Sequence, residues 1–161
     1  MRLSVPSAQY YRDDWALNGF AQSFILIHDI APLVPTLSRL EEVKFDDIDY
    51  AGIDCYPEKS GWKCNCCGGT KYINANILFP GILIDGMDNP NGLRYRMIDG
   101  RHRLDKMRLN DMTESKFFVF DYSDVKHLFY HCNTDDERDI IVNKVAEECM
   151  HLKDTLDRFP F

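Results

Sequence analysis

Between Ile82 and Phe120 the chain reads as strand, turn, strand, helix, strand, and that order leaves few folds open. Ile82-Leu83-Ile84 follows Pro80-Gly81 as a short apolar run suited to buried sheet. Asp88-Asn89-Pro90-Asn91-Gly92 is dense turn chemistry, so Tyr95-Arg96-Met97-Ile98 returns beside the first strand as a hairpin or near-hairpin. Asp99-Gly100 then breaks the strand. It hands over to Arg101–Leu109, where Leu104 and Met107 at i,i+3 give a short amphipathic helix, and Phe117-Phe118-Val119-Phe120 closes the series as a strand. Val43-Lys44-Phe45 with Ile48 adds an earlier strand running into a turn. The fold class these elements predict is α/β of the α+β type, a mixed sheet with a short helix after Ile98-Asp99-Gly100-Arg101-His102-Arg103 and helices at the C-terminal end.

The flanks carry weaker signals. A helix is expected around Gln9 to Leu17 and a strand at Phe24 to His28, while Pro32 and Pro35 forbid a long helix between them and the sheet. Two helices are expected after Tyr122, the first from Ser123 to His131 and the second from Thr134 onward. Thr134 supplies a capping oxygen, Asp135, Asp136 and Glu137 place negative charge in the first turn, and Ile141, Val145, Cys149, Leu152, Leu156 and Phe159 form one apolar stripe. With 161 residues, 45% of them apolar, the chain can bury a real core, and one domain over 1–161 is the expected organisation.

The net charge of −7 argues against a protein that coats phosphate backbones over a wide face. No apolar run approaches the ~20 residues of a membrane span, and polar residues with Tyr10-Tyr11-Arg12-Asp13-Asp14 stand where a signal peptide needs its apolar stretch. The expectation is therefore a cytoplasmic protein.

Against that acidic background one window stands out. Arg94, Arg96, Arg101, Arg103, Lys106 and Arg108 face only Asp99 and Asp105 between Arg94 and Leu109. A compact positive window suits a small anion better than a long polyanion. Gly100 stands where strand becomes helix, and free N–H groups at a helix start donate to phosphate oxygens. Gly100 would let the backbone approach a phosphate, Arg103 can form a charge-assisted fork with it, His102 can donate from either ring nitrogen, and Arg101 would add a second positive group. Asp99 is assigned to capping the helix. For a phosphoryl-transfer reaction a carboxylate is also needed, and Asp47, Asp49, Asp54 and Asp85 are candidates of low rank, with no general base singled out.

The stretch Tyr95-Arg96-Met97-Ile98-Asp99-Gly100-Arg101-His102-Arg103-Leu104, with Pro80-Gly81-Ile82-Leu83 before it and Phe117-Phe118-Val119-Phe120-Asp121 after it, resembles the ParB/sulfiredoxin-like superfamily over residues 42–122. Val43-Lys44-Phe45-Asp46-Asp47-Ile48 looks like the strand and turn that open ParB domains. The resemblance implies a compact fold in which Gly100, His102 and Arg103 match a G-x-H-R motif that binds nucleotide phosphates. Sulfiredoxins carry their catalytic cysteine directly before the His-Arg pair, and Arg101 stands there in this chain, so sulfinic acid repair is not expected. Chromosome-partitioning relatives continue into a helix-turn-helix domain, whereas two helices at most are expected after Tyr122, so centromere-type DNA binding is not expected either. Lys106 replaces an alanine common in the family. Other relatives are small nucleotide-dependent kinases or nucleotide hydrolases, and stand-alone domains of this kind occur in bacteriophages.

The cysteines form a second feature, an insert over residues 55–69. Cys64-x-x-Cys67 followed by glycine has the spacing of a zinc knuckle, and Cys55 and Cys66 could complete four ligands locally for a structural zinc. His127 and His131, at i,i+4 on the expected helix with Cys132 beside them, are alternative ligands. Reactive thiols and cysteines that only pack are the competing readings.

Three functions follow in order. The first is a nucleotide- or phosphate-binding protein acting as a small kinase or nucleotide hydrolase, its cofactors a nucleoside triphosphate with Mg²⁺ and a structural zinc. The second is a non-catalytic interaction or regulatory module with a protein partner. The third is a protein acting on nucleic acid, with DNA a weak and salt-sensitive partner at this net charge.

Overall fold

The computed structural model describes residues 8–12, 22–49, 57–58, 61–62, 74–89 and 92–156. In chain order the strands are β1 (Ala8–Arg12), β2 (Gln22–Leu26), β3 (Arg39–Lys44), β4 (Ile48–Asp49), β5 (Pro57–Glu58), β6 (Gly61–Trp62), β7 (Gly81–Asp85), β8 (Tyr95–Asp99), β9 (Glu114–Asp121) and β10 (Tyr130–Cys132). The helices are α1 (Ile27–Ile30), α2 (Val34–Leu37), α3 (Arg101–Leu109), α4 (Tyr122–Val125) and α5 (Asp135–Leu156). The chain divides into two units, Pro32–His127 and the pair of end segments Met1–Ala31 with Leu128–Phe161. This is an α+β architecture, as the element pattern predicts, and the 42–122 segment falls inside the first of these units.

That unit is built on a five-stranded sheet in the order β3-β9-β7-β8-β4. The hairpin of β7 and β8 is antiparallel, pairing Asp85 with Tyr95 and Ile82 with Asp99, with a register shift between Ile82 and Leu83. β7 runs parallel to β9 and β4 parallel to β8, which makes the sheet mixed. Residues 81–84 and 95–98 are all buried, the near-continuous burial of central strands covered on both faces. Leu83, Met97, Phe117 and Val119 from the sheet meet Leu104 and Met107 of α3 in one core cluster with Val43, Phe45 and Ile48, so the i,i+3 pair read from the sequence is the face that α3 packs inward.

Arg96 is the largest side chain in this sheet to be fully buried, at 1% exposure. Its Nε donates to Asn89 Oδ1 at 2.8 Å and its Nη2 to the Asp88 carbonyl at 2.6 Å, while Asn89 Nδ2 donates to the Leu93 carbonyl at 2.7 Å. A buried guanidinium needs such acceptors, and the acceptors it finds belong to the turn that joins its own hairpin.

In the other unit β2 is the centre of a three-stranded antiparallel sheet, β1-β2-β10. Phe24, Leu26, Cys132 and Val145 form its core, with Tyr130, Ile141 and Val142 packed against it, and the Phe24 and Tyr130 rings stack with centroids 5.1 Å apart. Ile141 and Val145 belong to the stripe expected of the last helix. Thr134 caps α5 as expected, its Oγ1 accepting from the Glu137 N–H at 3.2 Å, and the Glu137 carboxylate accepts from the Asn133 N–H at 2.8 Å.

Three local expectations are corrected. The segment expected to be helical from Gln9 is a strand through Arg12, paired with β2, and Asp13 to Leu17 lie outside the described residues. The strand expected through His28 stops at Leu26 and gives way to α1. The helix expected from Ser123 to His131 ends as a 3-10 turn at Lys126–Leu128, and Tyr130–Cys132 pairs with β2 as a strand. His127 and His131 therefore do not share a helix face. Among the described residues no helix is long and apolar enough to cross a membrane.

Candidate functional site

The strand-to-helix junction forms as its glycine predicts. Gly100 is the residue before α3 and has φ +106°, a left-handed conformation that L side chains rarely adopt. The first helical bond runs from the Leu104 N–H to the Gly100 carbonyl at 2.9 Å, so the N–H groups of residues 101 to 103 precede any intrahelical acceptor. A Cβ on Gly100 would also lie 3.1 Å from Arg103 Nη2 and 3.3 Å from its Nε. The glycine thus leaves room for the Arg103 guanidinium to lie over the junction.

Gly100, His102 and Arg103 line one cleft of about 250 Å³ together with Ala75, Asn76 and Asp99. Arg101 is not among its lining residues, so three of the four expected phosphate ligands converge. The capping role assigned to Asp99 is corrected: its carboxylate accepts from Arg103 Nη2 at 2.7 Å across the strand-to-helix junction. Asp99 ends β8 and Arg103 lies in the first turn of α3, so the left-handed bend at Gly100 is what brings acid and base together. Asp99 consequently holds the arginine in the cleft and is itself the carboxylate on the cleft wall.

Ala75 and Asn76 bring the segment 74–80 to the cleft. Lys106 Nζ donates to the Ala75 carbonyl at 3.0 Å, the Leu78 N–H donates to Asn76 Oδ1 at 3.0 Å and the Phe79 N–H to the Asn76 carbonyl at 3.1 Å. Ile77 packs against the core cluster, and the Arg103 guanidinium carbon sits 5.4 Å from the centroid of the Phe79 ring. Lys106 therefore ties this segment to α3.

The basic window does not form one positive patch. Arg94 makes a two-armed contact with Asp85, at 2.9 and 3.2 Å, Arg96 is buried in the hairpin, and Arg108 Nη2 donates to the Phe45 carbonyl at 3.3 Å. Arg94 and Arg96 stand at the turn end of the hairpin, the opposite end of β8 from the start of α3, so their partners are Asp85, Asp88 and Asn89.

Of the low-rank carboxylates among the described residues, none lines this cleft. Asp49 is buried in β4, Asp47 is exposed in a 3-10 turn, and Asp54 lies outside the described residues. Asp85 sits at the far end of β7, where Arg39 donates to Asp85 at 2.9 Å, to Asp121 at 2.7 Å and to Glu41 at 2.5 Å. The hydrogen bond from Arg94, with the charges of Arg94 and Arg39, holds the Asp85 carboxyl below its ordinary value although burial opposes this. A second cleft of about 410 Å³ opens there, lined by Asp85, Gly86, Asp121, Tyr122, Ser123 and Lys126. Its two carboxylates make it a poorer host for an anion than the junction at Gly100.

Cys55, Cys64, Cys66 and Cys67 lie outside the described residues. Among the described residues no three His, Cys, Asp or Glu side chains are grouped to hold a metal. Cys132 is buried, and burial first, then the charges of Glu137 and Asp135, pushes its thiol up, away from the thiolate a metal requires.

Compared with known proteins, the chain matches no family model, no curated protein and no solved structure at a significant level.

Proposed function

We propose that this is a ParB/sulfiredoxin-like nucleotide-binding protein that takes phosphate oxygens at Gly100, His102 and Arg103. The observation that carries the reading is the convergence of a left-handed glycine, the start of a nine-residue helix and the Arg103 guanidinium on one cleft. The hairpin, helix and following strand around the cleft stand in the order read from the sequence. Phosphoryl transfer to water or an acceptor hydroxyl is the chemistry such a site suits, as a small kinase or nucleotide hydrolase performs it.

The cleft supplies one carboxylate, Asp99, and Mg²⁺ is commonly held by one or two carboxylates together with phosphates and water, so the donor set fits a magnesium nucleotide. When bound, that ion would offset the phosphate charge that Asp99 otherwise repels. Arg103 would exchange part of its contact with Asp99 for the phosphate. A structural zinc on Cys55, Cys64, Cys66 and Cys67 belongs to the same proposal and is checked separately by metal analysis of protein purified without added zinc.

Calorimetric titration with ATP, CTP and GTP in the presence of Mg²⁺ tests the site. Saturable binding that Arg103→Ala weakens at least tenfold is the expected result. Absence of binding by every nucleotide removes the reading and leaves the non-catalytic interaction module in its place.

A further inference from the structure

Leu78 is 88% and Phe79 58% exposed, two consecutive large apolar side chains turned to solvent beside a polar cleft. The turn that carries them is fixed from several sides: Ile77 packs inward, Asn76 accepts from both the Leu78 and Phe79 N–H groups, and Lys106 holds the Ala75 carbonyl. Their exposure is therefore imposed by a well-tied segment. Arg103 connects that segment to the phosphate site, since the same guanidinium lines the cleft, pairs with Asp99 and lies 5.4 Å from the Phe79 centroid. With the cation beside the ring and more than half of the side chain still open, Phe79 is a pre-positioned aromatic surface next to a site built for an anion.

We infer that the ligand of this cleft is a nucleotide whose base stacks on Phe79 while its phosphates lie at Gly100, His102 and Arg103, and that a phosphorylated metabolite without an aromatic ring binds far more weakly. The inference rests on the nucleotide reading above and adds where the base lies. A base offers a flat π-face to stack on the exposed phenyl ring, and every base has one, so the platform selects for a nucleobase more than for a particular base. Asn76, whose side chain is held within the turn, belongs to the same segment and keeps the platform in place.

The test compares ATP with inorganic triphosphate, both with Mg²⁺, on the wild-type chain and on Phe79→Ala, Phe79→Tyr and Arg103→Ala. Wild-type protein is expected to bind ATP about tenfold or more tightly than triphosphate. Phe79→Ala is expected to bring that ratio close to one, and Phe79→Tyr to keep it. The ratio is the readout because Phe79→Ala also removes a contact to Arg103, which weakens both ligands together and cancels in the comparison. Equal affinity of wild-type protein for the two ligands, or a ratio unchanged in Phe79→Ala, overturns the base platform and leaves the phosphate site intact. Failure of both ligands to bind wild-type protein overturns both readings. Arg103→Ala is expected to weaken triphosphate as well as ATP, which separates loss of the phosphate site from loss of the platform.

Discussion

The chain at Gly100 passes so close to Gly81 that a Cβ built on Gly100 would lie 3.0 Å from the Gly81 Cα. From the other side, a Cβ on Gly81 would meet the Asp99 carbonyl at 2.6 Å, a backbone atom that cannot swing away. The two glycines therefore fix where the start of β7 crosses the end of β8, and with it the floor of the cleft. Gly81→Ala and Gly100→Ala are each expected to cost about 1–3 kcal/mol, the first through overpacking and the second through its left-handed backbone. Urea denaturation measures the loss. Gly100→Ala is additionally expected to weaken nucleotide binding, because its methyl displaces the Arg103 guanidinium.

Arg96 holds the turn of its hairpin from inside. Arg96→Ala is expected to destabilise the protein by about 3 kcal/mol, since it empties a buried site and removes a charged donor from Asn89 and the Asp88 carbonyl. Arg94→Ala, two residues earlier and exposed, is expected to change stability far less. Parallel denaturant melts of the two variants check the contrast.

The Asp85 carboxyl is held below its ordinary value of 3.8 by the arginines around it. A depressed carboxyl contributes stability that is present above the unfolded value and is lost as pH falls through the folded one. Melting temperatures measured from pH 5 down to pH 2 should fall more steeply for wild-type protein than for Asp85→Asn. Identical slopes would mean that the arginine cluster contributes nothing to acid stability.

Ser23 Oγ and His131 Nδ1 lie 2.8 Å apart across β2 and β10, and burial lowers the His131 value from 6.5. Below about pH 6.5 the unfolded chain then takes up a proton before the folded one does, so stability falls with falling pH and levels off below the folded value. Urea midpoints between pH 8 and pH 5 should show this decline, and His131→Gln should flatten it. A decline of the same size in the variant would assign the effect elsewhere.

The hairpin, α3 and β9 were legible because each carries its own signal: an apolar run, a turn cluster, a glycine, or a pair at i,i+3. β1 and β10 were not. Gln9-Tyr10-Tyr11 and Tyr130-His131-Cys132 become strands because Gln22–Leu26 lies between them, and a partner distant in sequence leaves no local periodicity. At the site, Gly100, His102 and Arg103 could be read from the motif, whereas a turn with no such pattern brings Asn76 to the cleft and Phe79 beside Arg103. The pairing of Asp99 with Arg103 runs across the left-handed bend at Gly100, whereas an acid before a helix suggests a cap.

The placement of β2 between β1 and β10 sets a timetable for the nascent chain. Gln22–Leu26 is made long before Tyr130–Cys132, so one of its two edges stays unpaired until that strand emerges. In the meantime β3 also waits for β9, and β7 waits for β9 on one side. The segments from Pro32 to His127 have all been made before the end-segment sheet receives its third strand. A chain halted before residue 130 therefore carries every strand of the five-stranded sheet and an open β2 edge, and that edge is where such a fragment would be vulnerable to strand-to-strand aggregation.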